Sequence, residues 1–161
     1  MRLTHHPVVL GGLLVGVLDI AAAFAFYGAF GVRPIRILQG IASGLLGRES
    51  FGLGLASAAL GLALHFVIAF GAATVYYLVS RRWRFLVERP ILSGIAYGVV
   101  VYAVMNRVVL PLSRGGFRLP PWYFIAGGVL IHVLCVGLPI ALAVHYSERR
   151  GRRDAPTELT G

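Results

Sequence analysis

The sequence predicts an all-α membrane protein: a bundle of four transmembrane helices with a short interfacial amphipathic helix between the first and the second. Composition is the first observation. Hydrophobic residues make up 58% of the chain, charged residues only 13%, and mean hydropathy is +0.81, outside the range of soluble domains. The second is length: four apolar runs each reach the roughly 20 residues that cross about 30 Å of hydrocarbon. The third is that each run carries one strongly polar residue near its middle, Asp19, His65, Asn106 and His132. Polar side chains are costly inside a bilayer and turn toward a shared interior.

The first span is read over 8–30, with Pro7 just ahead of it, where a missing N–H does no harm. Ala21, Ala22 and Ala23 resemble the small-residue end of a signal peptide. The apolar run nevertheless continues to Phe30 with no polar cleavage region, so a retained first helix is expected. The interfacial helix is read over 35–47. Ile35, Leu38, Ile41, Ala42, Leu45 and Leu46 recur at helical spacing, with Arg36, Gln39 and Ser43 between them. This segment is too short to span, so it should lie at the outer interface or close over the bundle as a lid. The remaining spans are read over 53–79, 91–112 and 122–145, with Trp83, Trp122 and Tyr123 as interfacial aromatics. These make one transmembrane domain over 1–146 and a cytoplasmic Arg-rich tail over 147–161, read as disordered beyond Arg153.

Arginine distribution sets the expected orientation. One loop carries Arg81, Arg82, Arg84 and Arg89, and the tail carries Arg149, Arg150, Arg152 and Arg153; Arg2 lies on the same side. Arg33, Arg36, Arg48, Arg114 and Arg118 lie on the other, with Arg107 near the membrane edge. The bias puts both termini in the cytoplasm. The net charge of +9 is therefore read as topology and attraction to anionic lipid headgroups, not as nucleic-acid binding. There is no lysine, which removes Schiff-base chemistry, and the single Cys135 excludes an intrachain disulfide and any CxxC motif. No phosphate loop, zinc-protease motif or nucleophile elbow is present, so nothing supports a soluble-type active site.

A weak internal repeat relates Pro7–Gly16 to Pro90–Gly98. It also relates His65, Gly71 and Ser80-Arg81-Arg82 to His132, Gly137 and Ser147-Glu148-Arg149-Arg150. A duplicated hairpin would make His65 and His132 equivalent. At about 1.5 Å per residue, the four polar residues lie about 16–22 Å from the cytoplasmic ends of their spans. Gly12/Gly16, Gly54/Ala58, Ser57/Gly61 and Gly94/Gly98 are small-residue pairs that let helices approach closely and support homo-oligomers.

Four readings of Asp19, His65, Asn106 and His132 remain open. They are interhelical glue, with Asp19 accepting from a histidine and Asn106 bridging; a path for protons or a small solute; a b-type haem held by His65 and His132; and a metal ion held by both histidines and Asp19. No cofactor is predicted outright. Arg107 is read as a snorkelling charge or an anion-attracting charge at the bundle mouth. His5 and His6 are read as solvated, and His145 as an interfacial cap.

HFVIAFGAATVYYLVSRR from His65, VVLPLSRGGF from Val108, and His132 ahead of paired arginines resemble the YagU-like family of bacterial inner-membrane proteins. GVLDIAAAF from Gly16 and RILQGIASGLLGRESFGLG from Arg36 are similar to a subgroup of such small proteins. The resemblance implies a multi-pass fold in the bacterial inner membrane and a lean toward proton-related function. This chain is shorter than the namesake and differs in its first loop.

Overall fold

The computed structural model describes residues 6–115 and 120–153. Arg2, His5, Arg118 and the tail beyond Arg153 lie outside the described residues. The described chain is helical, with no strand. It contains four helices long and apolar enough to cross a membrane. These are α1 (Pro7–Gly28), α3 (Gly54–Arg82), α5 (Pro90–Leu112) and α6, which begins at Trp122 and whose last segment ends at Arg153. Between them lie α2 (Pro34–Leu46) and the single turn α4 (Phe85–Glu88). Large apolar side chains such as Leu55, Val67, Ile91 and Leu112 face outward, as hydrocarbon requires.

Proline starts α1, α2 and α5, where its fixed φ is preorganised for a helix. Pro111 and Pro139 do something else. Each removes an N–H and crowds the carbonyl one turn earlier. Just before them the helices widen to π geometry, over Met105–Val109 in α5 and His132–Gly137 in α6. Such widenings relieve a proline within a helix and recur at functional sites.

Helices pack as two hairpins through small residues. In the first, Gly12 and Gly16 of α1 lie under the rings of Phe70 and Phe66 of α3. In the second the backbones themselves touch. A Cβ on Gly98 would lie 2.6 Å from His132 O and Val133 Cα, and one on Gly137 would fall onto Gly94 O. The hairpins join along α1 and α6, around Val15, Val136, Ile140 and Val144. Toward the Arg-rich end, Tyr76 and Tyr97 stack edge to face at 4.9 Å and bridge α3 to α5. Tyr76 Oη lies 2.9 Å from both Ser93 Oγ and Leu86 O, and Tyr97 Oη donates to Ala72 O at 2.7 Å. Tyr76→Phe removes both contacts of the Tyr76 hydroxyl from a buried site. It should lower stability by about 0.5–1.5 kcal/mol, seen as a lower midpoint in detergent thermal melts.

The segment after α1 differs from its expected outline. The polar residues Gln39 and Ser43 of α2 point inward, not outward to water. Gln39 Nε2 donates to Gly54 O at 3.0 Å, Ser50 Oγ to Gln39 O at 2.7 Å and Ser57 Oγ to Ser50 O at 2.6 Å. These bonds fold the Gly47–Gly52 turn back onto α2 and satisfy its polar groups. Gly61 of α3 then admits the α2 backbone at Leu38. Helix α6 continues through Ser147 to Arg153, because nothing between Val144 and Arg153 other than Gly151 disfavours a helix.

Candidate functional site

Asp19 from α1, His65 from α3, and Asn106 with His132 from the widened turns of α5 and α6 line one cavity of about 290 Å³. Val15, Ala69, Val101 and Val136 give it an apolar wall, and Tyr27, Tyr102 and Phe124 an aromatic one. Ile37 and Ile41 of α2 line it too, so α2 closes one side as a lid does.

The four polar side chains do not bond to one another, so the Asp19–histidine bond and the Asn106 bridge supposed by the glue reading, one of the four left open, are not formed. Each of the other three uses a nearby carbonyl. His65 Nε2 donates to Gly16 O across the α1–α3 contact at 3.0 Å. His132 Nδ1 donates to Gly128 O at 2.9 Å and Asn106 Nδ2 to Tyr102 O at 2.9 Å, each one turn back in its own helix. Short local bonds of this kind compete with long-range partners. Asp19 is left over: its Oδ1 is buried with no hydrogen-bond partner among the described residues.

These bonds fix the chemistry that remains. A carbonyl only accepts, so the ring nitrogen facing it carries the proton. In the neutral ring the other nitrogen is then an acceptor. His65 keeps Nδ1, His132 keeps Nε2, Asn106 keeps its carbonyl Oδ1, and Asp19 keeps Oδ1. With neutral rings, each of the four side chains keeps an acceptor atom, and the hydroxyls of Tyr27 and Tyr102 and the second amide proton of Asn106 can donate. A guest suited to this cavity brings protons.

The haem alternative fits this donor set poorly, because His65 uses Nε2 on Gly16 and leaves only Nδ1, the nitrogen nearer its own backbone. Among the described residues no three His, Cys, Asp or Glu side chains gather as a metal-ligating group. Arg107 is exposed and does not line the cavity. His6 caps α1, its Nδ1 accepting from Val8 N at 3.4 Å, and stacks edge to face on Tyr77 at 5.5 Å. His145 Nδ1 donates to Val87 O at 2.6 Å, tying α6 to the Arg-rich loop. Sequence reasoning offered α2 as a lid but missed Tyr27 and Tyr102 as parts of the wall. The signal that was available is Pro111 and Pro139, each a few residues beyond a mid-span polar group. Compared with family models, curated proteins and solved structures, the chain matches none.

Proposed function

We propose that this chain is a multi-pass protein of a bacterial inner membrane whose central cavity takes up and passes on protons or a small proton-donating solute. One observation carries the reading. Polar side chains from four spanning helices line a single cavity whose free atoms are mostly acceptors, and the Asp19 carboxylate oxygen there has no partner. Carboxylates and imidazoles inside a membrane are the usual elements of proton relays. On this reading the spans form a four-helix bundle, α2 lies at the outer interface, and both termini are cytoplasmic. Arg81, Arg84 and Arg149 line a crevice of about 510 Å³ at one end. Glu88 and Glu148 line it too, Arg84 pairing with Glu88 at 3.5 Å, so Arg81 and Arg149 are the charges that suit anionic headgroups on the cytoplasmic face. The resemblance to the YagU-like family points the same way.

A second reading, a structural or partner-binding subunit with no transported solute, is favoured by the His65–Gly16 bond, which joins two helices. It leaves the unpartnered Asp19 unexplained. Purified protein in liposomes loaded with a pH-sensitive dye separates the two. Under a potassium-diffusion potential, proteoliposomes should equilibrate protons faster than protein-free liposomes. Equal rates would remove the proton reading.

A further inference from the structure

The polar cavity is not isolated. An apolar groove of about 480 Å³ runs beside α2, and Tyr27, Ile37, Ile41, Ile68, Met105 and Leu110 line both spaces. Building on the cavity reading above, we propose that cavity and groove form one site for a single-tailed amphiphile with an amine head. The ammonium sits among Asp19, His65, Asn106 and His132, and the tail lies under α2.

Three features carry this. The first is adjacency, since the shared residues place the groove directly against the cavity. The second is complementarity. An ammonium is a compact cluster of donors with positive charge, and the cavity offers it the Asp19 side chain together with the acceptor-bearing side chains of His65, Asn106 and His132. Asp19 is the only acidic residue within the apolar part of any spanning helix. The third is how α2 opens the groove. Gly40 and Gly44, one turn apart, both line it. A Cβ on Gly40 would meet nothing within 4 Å, and one on Gly44 would meet only Ser113, at 3.7 Å or more. The missing side chains leave the space in which a tail lies. Arg36, also on the groove, is turned to Phe51 O at 3.1 Å and Gln39 Oε1 at 3.3 Å.

The test uses the full chain in phosphatidylcholine nanodiscs and hexadecylamine bearing a mid-chain diazirine. After illumination, peptide mass spectrometry should find label on α2 or around Ile68 and Val109. Dodecylamine should compete. Dodecyl sulfate, dodecyl maltoside and ethylamine should not. Gly40→Trp, which fills the groove, and Asp19→Asn, which removes the charge, should each cut labelling at least about tenfold. Gly44→Leu serves in place of Gly40→Trp if that variant does not fold. Labelling that dodecyl sulfate or dodecyl maltoside suppresses equally, or that survives a filled groove, overturns the amphiphile while Asp19-dependent proton flux would still stand. Labelling and flux that both ignore Asp19→Asn overturn the amphiphile and the cavity reading together.

Discussion

Gly137→Leu should largely abolish recovery of folded protein. A Cβ at this position falls onto Gly94 O and lies 2.5 Å from Gly98 N and 2.8 Å from Gly98 Cα. All three are backbone atoms, so no rotamer change relieves the overlap. Helices α5 and α6 must separate, and a membrane offers no hydrophobic force to bring them back, because lipid tails are as apolar as leucine. Overpacking in cores costs about 1–3 kcal/mol, and a backbone-to-backbone contact belongs at the upper end of that range. Gly71→Leu is the matched control, since a Cβ there meets nothing within 4 Å. Size-exclusion profiles and detergent melts should show Gly137→Leu aggregated or strongly destabilised and Gly71→Leu near wild type. The cavity should suffer with the fold, because His132 opens the widened turn that Gly137 closes.

Asp19→Asn should reduce proton flux to that of protein-free liposomes while leaving the fold intact. The change keeps size and one carbonyl acceptor but removes the group that gains and loses a proton. No bond in the described structure depends on the Asp19 carboxylate, so its replacement breaks none. Flux that persists in Asp19→Asn would remove Asp19 from the proton path and with it the Asp19-centred reading of the cavity.

The helices were legible because hydrocarbon imposes a length and a composition that run through every residue of a span. The cavity was legible in outline for a related reason. A polar group at mid-depth has to turn from lipid, so Asp19, His65, Asn106 and His132 were expected to share an interior, and they line one cavity. Their hydrogen bonds were not legible. Whether His132 reaches Asp19 or the carbonyl of Gly128 depends on ångström-level geometry in a widened helix, and hydropathy carries no trace of it. Gln39 and Ser43 show the same limit. Their spacing marks a polar stripe on α2, and only the return of the chain through Ser50 and Ser57 makes that stripe an inner face.

If Asp19 is kept for a guest and not for the fold, the thermal melt of Asp19→Leu will show it. An unpartnered carboxylate inside a membrane is a burden, at about 2.5–3.5 kcal/mol on insertion scales, so leucine there should stabilise. The midpoint should stand at or above wild type, by a few degrees if about 1 kcal/mol is recovered, in a protein that has lost its flux. A midpoint well below wild type would contradict the account, because it would mean that Asp19 holds the helices together.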